Sequence, residues 1–281
     1  EENSSDEKTL TLWSIATESD NMHSSYLKAI EEWEEKHEGY KIKFETFENQ
    51  SYKTKIKSAV AANELPDIFF TFGGGFSQPF AESGKVLPLD DYYENYKDLL
   101  PEAALKNQTY DGTIYGSTFT TPVSMMFYNK NIFEENNIKV PATYDELLTA
   151  VTTLKDAGIT PIATSVKDTW VLGMLHDGLT LKSAGATKLQ NALLKQEGQS
   201  YNDSDMLQSA KAIVELKEKG AFEEGATGLS NDEAVQPFLD GQAGMFFTGS
   251  WLGGDINTKS YDKEAFGVAP IPVLNSENSS L

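Results

Sequence analysis

Two rhythms of apolar and polar positions alternate along this chain. Leu10 to Ile15 (LTLWSI) is a short apolar run rich in strand formers, and Ala16 to Asp20 behind it has loop and N-cap chemistry. Met22, Tyr26, Ala29, Ile30 and Trp33 then recur at helical spacing, with Glu31, Glu32, Glu34 and Glu35 opposite, until Gly39 stops the helix. That stripe assigns Trp33 to the core. Lys41 to Glu45 alternates as a strand does, and Tyr52, Ile56, Ala59 and Val60 mark a second helix. Ile68 to Phe70 reads as a buried strand running into Thr71-Phe72-Gly73-Gly74-Gly75. The βαβαβ order implies a parallel sheet whose loops gather at the carboxyl ends of its strands, where a ligand cleft belongs.

Further on, Tyr110-Asp111-Gly112-Thr113 signals a turn, and Ile114 to Asn129 reads as extended chain. Asn131 to Asn136 is a short helix and Thr143 to Lys155 a clear one, with Asp145 and Glu146 in its first turn, where negative charge suits the helix dipole. Thr160 to Thr164 is a short strand. From Asp168 to Gly241 the pattern is mostly helical, and Leu207, Ala210, Ile213 and Val214 form its best apolar face. Ala243 to Phe247 is a buried strand, Gly249-Ser250-Trp251 a turn into a short helix, and Phe266 to Ala269 a final strand.

Length and charge narrow the function. The 281 residues suffice for about two lobes of ordinary size. All 23 basic residues are lysine and stand against 43 acids, a net charge of −20 that repels phosphate backbones and anionic lipid and argues against a nucleic-acid or membrane-surface partner. With no cysteine there is no disulfide framework, no thiol nucleophile and no Cys-ligated metal centre. No apolar run approaches the length of a membrane span. The acidic opening EENSSDEK reads as a solvated tether, residues 1–8, and the missing initiator Met suggests that something upstream was processed or otherwise removed.

Candidate chemistry is sparse. Two carboxylates across a cleft would make a glycoside hydrolase, but among so many acids such pairs arise on any solvated helix face. His23, His37 and His176 have no metal-ligand spacing, so no metal or cofactor is expected. Gly73-Gly74-Gly75 follows a strand as a phosphate loop would, yet matches no phosphate motif and has no neighbouring cation. Either a neutral ligand approaching its backbone or a tight turn accounts for it. Trp13, Trp170 and Trp251 each adjoin a predicted loop, and indole rings suit the C–H faces of sugars.

The segments NELPDIFFTFGGG, ESGKVLPLDDY, TYDGTIYG, YNK, ATYDELLTAV, FLDGQAGMFFTGSWLGGDI and FGVAPIPV, in this order, carry a specific resemblance. The chain resembles the extracellular solute-binding proteins of ABC importers, in the sugar-binding group that includes maltose-binding protein. The resemblance implies an α/β, two-lobe periplasmic-binding-protein-like fold of type II with the ligand cleft between lobes. It implies an N-terminal lobe over 9–121, a second lobe over 122–268, and a return crossover over 269–281 that starts the remainder of the first lobe. The family's usual chain continues well past Leu281, so the resemblance implies either that the C-terminal part of the usual fold is missing from this sequence or that both lobes are completed in an unusual way; the residues alone also allow a smaller, complete fold.

Position by position, the resemblance puts Trp13, Glu18, Asp20, Thr71, Gly73, Gly74, Thr121, Trp170 and Trp251 around the ligand, with no catalytic residue. Trp251 is the best match, in the GSW segment, and Trp170 fits less closely. Gly73-Gly74-Gly75 replaces the charged groups of the maltose-binding pattern, which speaks against a maltodextrin. The expected partners are a saccharide and the membrane permease of an importer. The expected protein is a monomer on the outer face of the cytoplasmic membrane, lipid-anchored through an upstream cysteine, or periplasmic. A glycoside hydrolase, or a binding protein for a peptide or metal ion, remains the alternative.

Overall fold

The computed structural model describes residues 7–93, 95, 97–99 and 102–274, and the chain divides into two compact units, Glu1–Thr121 and Pro122–Leu281. The first begins β1 (Lys8–Ser14), α1 (His23–Lys36), β2 (Tyr40–Thr46), α2 (Asn49–Ala62) and β3 (Ile68–Phe69). These strands form a parallel sheet in the order β2-β1-β3, as the βαβαβ pattern requires. Asp67 fastens β3 to β1: its Oδ2 accepts from Thr11 N–H and from Thr11 Oγ1, both at 2.8 Å, which holds its carboxyl below the ordinary value. Tyr52, wholly buried on α2, donates to Phe70 O at 2.6 Å and so ties the helix to the end of β3.

Two sequence expectations are corrected here. Ile68 is 44% exposed rather than buried, because among the described residues β3 pairs only with β1 and is a short edge. Trp33 is half-buried rather than in the core: α1 buries none of its residues fully, and the indole stacks on His37 with 4.2 Å between centroids. The core of this unit lies under α2 instead, where Tyr52, Ile56, Val60 and Phe80 meet the rings of Trp13, Phe47, Phe70, Phe72 and Phe76.

The unit continues through α3 (Gln78–Glu82), α4 (Asp90–Tyr93) and α5 (Glu102–Lys106) into a hairpin of β4 (Thr109–Tyr110) and β5 (Thr113–Ile114). Asp111 and Gly112 both take positive φ, 48° and 80°, which is the two-residue hairpin geometry that the Asp-Gly pair anticipates.

The second unit holds β6 (Ser124–Asn129), α6 (Lys130–Glu135), α7 (Tyr144–Asp156), β7 (Thr160–Ala163), α8 (Thr169–Ala184), α9 (Ala186–Leu193) and α10 (Ser204–Glu218). It ends with α11 (Asn231–Leu239), β8 (Ala243–Gly249), α12 (Leu252–Lys259) and β9 (Phe266–Ala269). Its sheet runs β7-β8-β6-β9, with β7 and β8 parallel and β6 antiparallel to both its neighbours. All of β8 is buried because helices cover both faces: Met245 and Phe247 join the cluster of Leu147, Leu154, Leu175 and Leu216, while Phe246 joins that of Phe238, Leu252 and Ile256. The Thr143 hydroxyl accepts from Glu146 N–H while the Glu146 carboxylate accepts from Thr143 N–H, a complete capping box on α7.

The apolar face expected for α10 is also corrected. Leu207 and Val214 are 41% and 54% exposed, and the buried positions are Met206, Ser209, Ala212 and Leu216. The helix packs on α8 through hydroxyls, the Ser209 Oγ lying 2.7 Å from Thr180 Oγ1, so a polar position faces inward and shifts the stripe. The described part of 269–281 stays with this unit: Ile271 is buried, and Val273 N–H donates to Ala142 O at 3.0 Å. Among the described residues no helix is long and apolar enough to cross a membrane.

Candidate functional site

In the first unit the chain leaves β1 for one side of the sheet and reaches β3 on the other, so the loops after β1 and β3 diverge at the carboxyl ends of their strands, the position at which open α/β sheets hold ligands. Glu18 and Asp20 lie exposed on the first of these loops. Asp20 Oδ1 accepts from Met22 N–H at 2.7 Å, and His23 Nδ1 lies 2.7 Å from Ala16 O, so the loop is pinned at both ends. Glu18 has no hydrogen bond or ion pair among the described residues. Tyr26 stacks on Phe44 at 5.2 Å beneath this loop, and burial pushes its hydroxyl above the ordinary value.

Trp13, at the end of β1, is already engaged. Its Nε1–H donates to Glu45 Oε2 at 2.7 Å, Lys55 Nζ lies 4.2 Å from its ring centroid, and Phe47 meets it edge-on at 5.5 Å. Glu45 is held below the ordinary carboxylate value, first by the hydrogen bond from Lys43 and then by that from Trp13.

The loop after β3 is a closed lattice of hydrogen bonds. The Thr71 hydroxyl bonds the Ser77 hydroxyl, Gly73 N–H donates to Ser77 Oγ at 3.2 Å, and Gly74 N–H donates to Asn107 O at 2.6 Å. The Tyr110 hydroxyl bonds Gly74 O and Asn107 O at 3.1 and 2.9 Å. Gly73 is required twice over: its φ is +69°, and a Cβ there would stand 2.8 Å from Gln108 Nε2 and 2.9 Å from Asn107 O. Gly116 approaches the same side chain, since a Cβ there would lie 2.6 Å from Gln108 Oε1. Gln108 and Gly116 lie outside the sequence expectations; their only signal is a glycine at the close of the hairpin. Thr121 is exposed at the end of this unit.

In the second unit the structure brings two of the expected residues together. β7 and β8 run parallel, Trp170 follows β7 in the first turn of α8, and Trp251 follows β8 at the start of α12. Their rings lie 6.0 Å apart at an interplanar angle of 60°, and Trp251 remains 44% exposed. The close approach of Trp251 to the strand depends on Gly249, where a Cβ would stand 1.9 Å from Trp251 Cζ3. Between the same two elements, β8 and α8, Thr248 Oγ1 reaches Met174 Sδ at 3.9 Å. Sequence reasoning missed Met174, whose position one turn after Trp170 is the only signal.

Two further features belong to this unit. Glu223 accepts from Thr164 N–H at 3.1 Å beyond the end of β7, and burial pushes its carboxyl above the ordinary value against that bond. His176 lines a largely apolar groove of about 270 Å³ with Val166, Thr169, Leu172, Gly173 and Ile213. Among the described residues no group of three His, Asp or Glu is placed to hold a metal ion.

The chain has known relatives. A solved structure from work on xylan utilization by the thermophilic bacterium Caldanaerobius polysaccharolyticus is 36% identical, with a TM-score of 0.88 over 95% of this chain and 68% of its own. A chitin oligosaccharide binding protein is 30% identical, with a TM-score of 0.89 over 97% of this chain and 69% of its own. Among curated relatives, an uncharacterized ABC transporter extracellular-binding protein of Pyrococcus horikoshii is 25% identical over 95% of this chain, which spans only 62% of that relative's length. The two-lobe α/β fold expected from the sequence is therefore the fold of the solved relatives. Residues 19–278 match the family described as bacterial extracellular solute-binding protein, and the chain belongs to that family.

Proposed function

We propose that this chain captures a saccharide outside the cytoplasmic membrane and passes it unchanged to the permease of an ABC importer. The observation that carries this reading is the Trp170–Trp251 pair, with one ring partly open to solvent at the carboxyl edge of a parallel strand pair. Aromatic stacking on the apolar face of a sugar ring is the interaction such a pair offers. The family match and the chitin oligosaccharide binding neighbour support it. Xylan and chitin are both β-1,4-linked chains of equatorial sugars with flat faces, so a neutral β-1,4-linked oligosaccharide is the ligand class we favour.

In this reading Trp251 is the principal platform, Trp170 its neighbour, and Glu18, Asp20, Thr71 and Thr121 supply hydroxyl partners in the first unit. Asp20 keeps Oδ2 available while Oδ1 holds Met22 N–H. The N–H groups of Gly73 and Gly74 are consumed by Ser77 Oγ and by Asn107 O at the end of α5, so that loop contributes shape rather than donors. Trp13 supports the sheet edge from within its contacts to Glu45 and Lys55. A lipid anchor upstream of these residues, a monomeric state and the absence of catalysis belong to the same reading.

A thermal-shift series against xylotriose, triacetylchitotriose, maltotriose and raffinose tests it. A ligand at 100 times its Kd stabilises by about 2.7 kcal/mol, or about 5 to 11 °C for a protein of this size class. No shift with any sugar overturns the saccharide reading. Cleaved products after prolonged incubation would overturn the non-catalytic one and favour a hydrolase.

A further inference from the structure

The hydrogen-bonding groups around the loop after β3 are nearly all spoken for: the hydroxyls of Thr71, Ser77 and Tyr110 and the N–H groups of Gly73 and Gly74 have partners in the loop, the hairpin or the end of α5. Gln108 is the exception. The residue is only 8% exposed, and neither end of its carboxamide has a hydrogen-bond partner among the described residues. Burying an amide without a partner is unfavourable, and native structures rarely leave one so without a reason. The backbone is locked in place, with Gln108 N–H donating to Leu105 O at 2.8 Å and Gln108 O accepting from Tyr115 N–H at 2.9 Å.

Two glycines clear the space in which this amide sits. A Cβ at Gly73 would meet Nε2 at 2.8 Å, and a Cβ at Gly116 would meet Oε1 at 2.6 Å. The donor end thus lies against one backbone segment and the acceptor end against another. Neither end is among the fully enclosed unpaired atoms, a group that includes Asn49 Oδ1 and Gln199 Oε1. The carboxamide thus sits beside the loop that follows β3, its two ends in fixed directions.

We propose that Gln108 is a ligand-binding residue whose carboxamide, offering one donor end and one acceptor end, hydrogen-bonds adjacent hydroxyls of a neutral sugar. This rests on the saccharide reading above and names a specific contact within it. A carboxamide suits a vicinal diol, because each hydroxyl both donates and accepts. It offers no charge to pair with a uronic acid, in keeping with a neutral ligand.

The experiment is a titration of the wild-type chain and of Gln108→Leu with xylotriose and triacetylchitotriose. It reads affinity by calorimetry and the Gln108 side-chain amide by ¹H–¹⁵N NMR. Gln108→Leu should lower affinity about tenfold while the unliganded melting temperature stays level or rises, since a buried amide with no partner among the described residues is replaced by an apolar group of similar size. In the wild type, the two amide proton resonances should move on saturation. Wild-type affinity in Gln108→Leu, or amide resonances that stay still at saturation, overturns the assignment. Should the variant not fold, the wild-type resonances decide alone. A wild-type chain that binds no sugar overturns the saccharide reading and this contact together; sugar binding indifferent to Gln108 overturns this contact only.

Discussion

Gly249→Ala separates the role of Trp251 from the stability of the strand that carries it. Gly249 is buried at the end of β8 opposite Ser124, and its backbone lies outside the positive-φ region, so alanine suits the strand. The obstacle is a single ring: an added methyl group would stand 1.9 Å from Trp251 Cζ3 and 2.3 Å from Cε3. Carbon atoms pack at about 3.5 Å or more, so the ring must retreat by about 1.6 Å (3.5 − 1.9), which disrupts its contact with Trp170. Because Trp251 is 44% exposed, it can swing outward. The fold then loses about 0.5–1.5 kcal/mol of ring contact and regains about 0.5–1 kcal/mol from alanine over glycine within a strand. The melting temperature should therefore move by no more than about 4 °C. Sugar affinity should fall about tenfold, near 1.4 kcal/mol, because the stacking surface is displaced. Calorimetric titration with xylotriose and triacetylchitotriose, beside thermal melts, reads both quantities. An unchanged Kd refutes the role assigned to the ring, and a melting temperature lowered by more than about 10 °C refutes the claim that only the ring moves.

The remaining predictions concern stability. Gly73→Ala should cost about 1–3 kcal/mol in urea unfolding, because its φ of +69° and the Asn107 carbonyl at 2.9 Å both oppose a side chain, whereas Gly75→Ala, with nothing within 4 Å, should be neutral or mildly stabilising; equal losses at the two sites would refute this. Burial raises the Glu223 carboxyl above its ordinary value, so the folded chain holds that proton more tightly than the unfolded chain does, and ionisation at higher pH opposes folding. Glu223→Gln should accordingly raise the melting temperature at pH 7, with the gain closing as pH falls towards 4; a gain that is independent of pH would show that the carboxylate charge is not its source. Thr143→Ala removes half of the capping box on α7 and should lower stability by about 1 kcal/mol, read as a shifted urea midpoint with an unchanged slope.

Those stability effects arise at positions that the sequence marks to different degrees. Threonine before a first turn of Asp145 and Glu146 announces its cap locally, and the Asp-Gly pair announces its hairpin, because both depend on a few adjacent residues. The βαβαβ order carries the parallel sheet for the same reason, since strand and helix periods are local. The errors occur where a distant partner decides. The inward face of α10 is set by the hydrogen bond between the hydroxyls of Ser209 and of Thr180 on α8, so a count of apolar residues along α10 selects the wrong side. Ile68 looks like a core residue in an apolar run, yet β3 has only β1 beside it among the described residues.

The site divides along the same line. Trp251 is legible because it follows a buried strand through a glycine, and the structure sets that glycine under the ring. Gly73 and Gly74 are legible as a special loop, but periodicity cannot tell a loop that offers N–H groups from one that consumes them. Asn107 O and Ser77 Oγ, which take those hydrogens, come from a helix end and a later turn. Their consumption has a consequence for binding. With the loop's own donors occupied, hydrogen bonding in this locality passes to a side chain that the loop merely makes room for. Gly73 is thus better understood through its missing Cβ, which keeps the Gln108 carboxamide clear, than through its amide. Adding a methyl group at Gly73 should displace that carboxamide as well as strain the backbone, so Gly73→Ala should weaken sugar binding while Gly75→Ala leaves it intact.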